Sequence, residues 1–254
     1  MMLRYIALYM DDNSGYDESF VNQFSYNARF ISNFLSSKIR RLKFVTDGKF
    51  NMIAVTPSLS INKHSGIVGD SALQARVRFD KSSYIRMSEF ECYDYYLSLL
   101  EMGYKTCSNH HKVPIDELLT LHKEFRGNGY KNEWIHKRKK FTLYGIQVIL
   151  KCEFTAFDFK LIISVANIKT HEELVSGIVI RTLPDEVFFS SLFKDIMIGQ
   201  DHLIITDSQS RPKFKFSLKD LRSKKLSIKV SSSGLKYVKY RGKPNLLFPR
   251  LKTK

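Results

Sequence analysis

Apolar residues recur every three or four positions through much of the first half of the chain and alternate with polar ones through much of the second. Residues 3–10 are a short apolar, aromatic run that reads as a buried strand. Residues 11–15, Asp-Asp-Asn-Ser-Gly, have the composition of a turn. Phe20, Phe24, Asn27, Ile31, Phe34, Leu35 and Ile39 share one helical stripe, which predicts a long amphipathic helix over 17–42. Asp17 and Glu18 supply carboxylates at its positive end, and Lys38, Arg40, Arg41 and Lys43 supply cations at the other. Residues 50–55 read as a strand stopped by Pro57, 58–70 as a loop rich in Ser, Gly and Asn, and 76–79 as a short strand. Ser88 and Glu91 stand at capping-box spacing. The helix they open presents Phe90, Tyr93, Leu97, Leu100 and Tyr104, with Gly103 near its end. A further helix from Pro114 carries Ile115, Leu118, Leu119, Leu121, His122 and Phe125 and closes at Gly127.

Beyond residue 140 the period changes. Residues 141–152 and 157–166 are β-branched apolar runs separated by 153–156, the pattern of an antiparallel hairpin. Residues 170–173 predict a short helix and 177–180 a strand. Pro184-Asp185-Glu186 is a helix-opening signal, with Val187, Phe188, Leu192, Phe193 and Ile196 on one helical face as far as Gly199. Residues 203–205 read as a strand, and 213–218 alternate strictly, as a half-buried strand does. Residues 226–230 and 235–240 repeat that habit, and the last dozen, with Pro244 and Pro249, read as irregular. The fold class expected is α+β: a helix-rich N-terminal part, 1–140, and a β-rich basic C-terminal part, 141–254, with a mainly antiparallel or mixed sheet. The two parts can equally form one continuous domain. Trp134, the single tryptophan, sits at the junction and is expected to pack the helical part onto the sheet part.

Composition narrows the class. With 254 residues and 43% hydrophobic content, the chain can bury a core without disulfides or a structural metal. Cys92, Cys107 and Cys152 form no CxxC, so reduced thiols and a cytoplasmic location are expected. Arg4 interrupts the first apolar run and acids follow it, unlike a secretory leader. No apolar run approaches the roughly 18 residues that cross a bilayer.

Charge changes the picture most. The net charge of +16 is segregated. Residues 210–254 hold 15 Lys/Arg against the single Asp220, and 126–140 hold six against Glu133, leaving the remainder slightly acidic at −3. Such segregation points to an anionic partner at the basic surfaces. The candidate partner-binding residues are Arg126, Lys131, Lys137, Arg138, Lys139 and Lys140 at the junction. In the tail they are Lys213, Lys215, Lys224, Lys225, Lys236, Lys239 and Arg241. Phe214 and Phe216 interleave with lysines, but alternation puts them on the opposite strand face and so in the core.

Other constellations are less specific. Glu153, Asp158 and Lys160 on the predicted hairpin have the residue types of a metal-dependent nuclease centre, though salt-paired residues on a sheet face are the commoner outcome. Asp11, Asp12, Asn13, Asp17 and Glu18 could offer oxygens to a cation, but their spacing matches no EF-hand. Cys107, His110, His111 and His122 have metal-binding side chains without a metal-binding spacing. Neither a phosphate loop nor a Gly-x-Ser-x-Gly nucleophile is present. No cofactor or metal is expected. In general character the chain resembles accessory bacterial or phage proteins. The expected function is non-catalytic: an immunity or antitoxin-type protein that neutralises a toxin by binding an acidic face. The alternatives are a DNA- or RNA-binding protein of phage or mobile-element defence, and a nuclease.

Overall fold

The computed structural model describes residues 1–60 and 66–230; the strand expected over 235–240 lies outside them. The protein is α+β, with helices mainly in the N-terminal part and antiparallel sheets in the C-terminal half. The chain divides into two compact units, the first running to Asn132 and the second starting at Glu133.

The first unit has a mixed sheet. Strand β1 (Tyr5–Leu8) lies parallel to β2 (Met52–Ser58), and β2 lies parallel to β4 (Ala72–Arg78). Strand β3 (Gly66–Val68) runs antiparallel along the far side of β4, inside the span expected to be loop. Helix α1 (Glu18–Leu42) makes the crossover between the parallel strands β1 and β2. Asp17 caps it, accepting from the Phe20 N–H at 2.9 Å. Phe24, Phe30, Ile31, Leu35 and Ile39 are buried, so the stripe read from the sequence is the core face.

The outer edge of β1 is closed by α1 instead of by another strand. The N–H groups of Ile6, Leu8 and Met10 donate to the hydroxyls of Ser36 (2.9 Å), Ser32 (3.1 Å) and Ser25 (3.1 Å). An exposed strand edge is a template for pairing with another chain, and covering it removes that hazard.

Pro57 does not end β2; it pairs with Val77 inside the strand. It shares parity with Val55, whose carbonyl faces β1 and accepts from the Tyr9 N–H. The paired register of β1 ends at Val55, so the donor that proline lacks falls beyond the paired ladder. Helix α2 (Lys81–Tyr84) leads to α3 (Glu89–Ser108), which carries the expected capping box: the Glu91 carboxylate accepts from the Ser88 N–H and hydroxyl, both at 2.7 Å. Gly103 lies within α3, not near its end, and faces β2. A Cβ there would sit 2.2 Å from Val55 Cγ2, so the helix can approach the sheet only with glycine at this position. Helix α4 (Ile115–Gly127) completes the unit as expected.

Among the described residues the second unit holds two four-stranded sheets. One has the order β5 (Asn132–Phe141), β6 (Ile146–Phe154), β7 (Phe159–Asn167), β8 (Glu173–Thr182). The basic run at 137–140 is thus part of strand β5. The single strand expected over 141–152 is broken by a 3-10 turn, Thr142–Tyr144, and by Gly145 at φ 68. The β6–β7 hairpin forms as read, from Phe154↔Phe159 to Ile146↔Asn167. The short helix expected at 170–173 does not form. Asn167 Oδ1 takes the N–H groups of Lys169 (2.8 Å) and Thr170 (3.2 Å), a turn that competes with helix, and Glu173 already begins β8.

The other sheet has the order β12 (Lys229–Val230), β11 (Pro212–Ser217), β10 (His202–Thr206), β9 (Asp195–Gly199). The helix expected to run to Gly199 stops after one turn, α5 (Glu186–Phe189), leaving Val187 exposed. Phe189 stacks on Phe159 at 3.5 Å and Phe193 lies parallel to the same ring at 5.7 Å. Ile196 joins the ladder opposite Ile205. Burying these side chains in a β-rich core outweighs the local helical preference. Phe214 and Phe216 are core residues of β11, as the alternation indicated. Helix α6 (Leu218–Arg222), capped by Ser217, follows β11, and the strand expected over 226–230 shortens to β12. Trp134 is half-buried, its ring 6.1 Å from Phe159 of the same unit.

Candidate functional site

The fold does bring Glu153, Asp158 and Lys160 together. Register sets Glu153, Lys160 and Arg181 in one row across β6, β7 and β8. Lys160 Nζ lies 3.8 Å from both Glu153 Oε2 and Asp158 Oδ1. Asp158 is buried and accepts from Arg181 Nε at 2.6 Å and Thr155 Oγ1 at 3.0 Å. Lys151 Nζ bridges Glu153 (3.0 Å) and Glu133 (2.7 Å). Three carboxylates therefore meet three cations. A metal-dependent nuclease needs carboxylate oxygens free for the metal, whereas these already have donors. The arrangement is a cross-strand ion ladder, each pair worth about 0.2–1 kcal/mol.

The other clusters are dispersed. Asp11 is clamped by Arg76 (Nη1–Oδ1 3.1 Å, Nη2–Oδ2 2.5 Å). Asp17 caps α1, and the Phe20 N–H holds its carboxyl below the usual range, helped by Lys81 at 3.4 Å. His122 is buried against Tyr104 OH at 3.5 Å, while His111 Nδ1 lies 3.4 Å from Asp47. His110 is exposed, and burial pushes the Cys107 thiol up to about 12. Among the described residues no three His, Cys, Asp or Glu side chains are placed to hold a metal ion. All three cysteines are buried and unpaired.

The basic candidates separate into two kinds. Arg126 is paired with Asp94 at 2.6 Å, Lys137 and Lys139 share Asp195 at 3.2 and 3.7 Å, and Lys224 meets Glu172 at 2.5 Å. Lys213 is buried, because a register shift at Ile205/Thr206 breaks the alternation of β11. Lys131, in the first unit, and Arg138, Lys140, Lys215 and Lys225, in the second, are exposed and have no acid partner among the described residues. Lys236, Lys239 and Arg241 lie outside the described residues. Sequence reasoning missed β9, with Met197 and the Asp195 that Lys137 and Lys139 share, because 184–199 reads as helix. The two-residue turn Gln200-Asp201 between Gly199 and His202, with Gln200 at φ 52, was the available hairpin signal.

Fold and site together define an α+β protein with a neutralised carboxylate ladder and a set of unpaired surface cations. No protein-family model matches the chain, and neither the curated proteins nor the solved structures contain a significant match to it. No helix of the described residues is long and apolar enough to cross a membrane.

Proposed function

We propose that the chain is a non-catalytic, cytoplasmic binding protein of the immunity or antitoxin type, which neutralises a partner toxin by covering an acidic face of it. One observation carries the reading. In the second unit the candidate catalytic carboxylates are each neutralised by a cation, while Arg138, Lys140, Lys215 and Lys225 are exposed with no acid partner among the described residues. Unpaired exposed charge adds little to folding but steers association with an opposite surface. A protein partner is favoured over single-stranded nucleic acid because Phe214 and Phe216, the rings interleaved with the lysines of β11, are buried and offer bases no stacking surface.

The test is co-expression with the protein encoded by the adjacent gene. A 1:1 complex on size-exclusion chromatography is expected, together with loss of the partner's toxicity. Charge reversal at Arg138 and Lys140 should weaken the complex about tenfold or more and leave thermal stability nearly unchanged. Absence of any such complex, with binding to DNA or RNA that falls steeply with salt, would replace this reading by the nucleic-acid one.

A further inference from the structure

The outward face of the second sheet carries a specific pattern. Register places Met197, Ile204, Lys215 and Lys229 in a single row across β9, β10, β11 and β12. Met197 is 44% exposed and Ile204 9%, and both lysines are exposed. Lys215 and Lys229 stand directly opposite each other, an arrangement of like charges that destabilises a sheet. Neither has an acid partner among the described residues. At the other margin Asp195, two residues from Met197 and so on the same face, takes the ammonium groups of both Lys137 and Lys139. That margin keeps one positive charge in excess. The face therefore has two cationic margins, with Ile204 between them and Met197 beside the β9 margin.

The dimensions select a ligand. Three strand spacings of about 4.8 Å separate β9 from β12, about 14 Å in all. An extended peptide rises about 3.4 Å per residue, so four residues span that distance, and residues i, i+2 and i+4 point to the same side. We propose that this face takes an extended acidic segment of the partner with the pattern acid–x–apolar–x–acid. One carboxylate meets Lys215 and Lys229, the apolar side chain lies over Ile204 beside Met197, and the second carboxylate reaches the β9 margin, where Lys137 and Lys139 meet Asp195. The thioether of Met197 adapts to aliphatic side chains of differing shape. The assignment rests on the reading above, that the partner is a protein.

The experiment uses the full chain, labelled with 15N, and a capped peptide containing Glu-Ser-Leu-Ser-Glu. A second peptide has the same composition with its two glutamates adjacent. Amide shifts centred on Met197, Ile204, Lys215 and Lys229 are expected with the first peptide, and weaker binding of the second. Lys215→Gln and Lys229→Gln should each weaken the peptide about threefold. Each should also raise the melting temperature of the free protein by about 1–2 °C, because the repulsion is removed. That combination of weaker binding and a more stable fold is not what a purely structural lysine gives. Shifts elsewhere, no shifts at millimolar peptide, equal binding of both peptides, or unchanged affinity in both variants overturns the proposal. A protein partner that still binds the doubly substituted chain at full strength overturns the segment assignment and leaves the binding reading standing. A single-stranded oligonucleotide that shifts the same amides at lower concentration than the peptide overturns both.

Discussion

Ser25, Ser32 and Ser36 show how much structural information single hydroxyls carry. They lie seven and four residues apart and so fall along one helix face, interrupting an otherwise apolar pattern. Each accepts a backbone N–H from β1 or the residues just after it, and Ser36 also donates to the Ile6 carbonyl at 3.1 Å. Ser36 is buried, so its loss strands two backbone groups away from water. Ser36→Ala should therefore destabilise the protein by about 1–3 kcal/mol in chemical denaturation. Ser37→Ala, which removes only a local bond to the Phe34 carbonyl, should cost less than about 0.5 kcal/mol. Equal losses in the two variants would show that the strand edge does not depend on these hydroxyls. The spacing of the serines was visible in the sequence. Their acceptor role was not, because the strand they cover lies 15 to 30 residues away.

Among the elements, the helices that proved legible were those with long stripes and explicit ends. Helix α1 has both, with Asp17 before it and a cluster of cations at its close, and α3 has its capping box. The reading of 184–199 as one helix failed because Phe189, Leu192 and Phe193 are at once helically spaced and needed by a β-rich core. Short apolar runs cannot separate those two uses. Strand β5 was obscured differently. Its sequence, Asn-Glu-Trp-Ile-His-Lys-Arg-Lys-Lys-Phe, has few β-branched residues, and its pairing with β6 decides the matter. Where α3 meets β2, Gly103 and Val55 form a lock that a variant pair can test. Alanine is the better helix former by about 1 kcal/mol, yet its Cβ would enter Val55. Gly103→Ala should therefore lower stability by about 1–3 kcal/mol overall. Adding Val55→Ala should recover part of the loss, giving a favourable coupling in a double-mutant cycle. Additive losses would mean that the helix shifts to accommodate the methyl group without meeting the valine.

For the molecule as a whole, the segregation of charge could be read directly from the chain, but its fate in the fold could not. Glu153, Asp158 and Lys160 were singled out together, and they do assemble. Their neutralisation depends on Arg181 and Lys151, brought in by sheet pairing. Global stability has its own titrating group in His122. The ring is buried in α4, its Nδ1 has no hydrogen-bond partner among the described residues, and Nε2 reaches only Tyr104. Burial pushes it down to about 4, with the Arg126 charge adding to the effect and Glu101 opposing it. The unfolded chain binds a proton at this position near pH 6.5, whereas the folded chain does so only near 4. Between those values the unfolded state holds more protons, so stability rises with pH. The contribution is fully present above about 6.5 and is lost as pH falls toward 4, amounting to about 3 kcal/mol across the window. The depressed carboxylates, Asp94 and Asp207 among them, lose their contribution lower, as pH falls through their own folded-state values. The interval from pH 6.5 to 5 therefore isolates the histidine. His122→Phe keeps a ring against Tyr104 and removes the proton site. It should flatten the fall in denaturation midpoint between pH 6.5 and 5 that the natural chain shows. An unchanged slope in that variant would assign the acid sensitivity to another group.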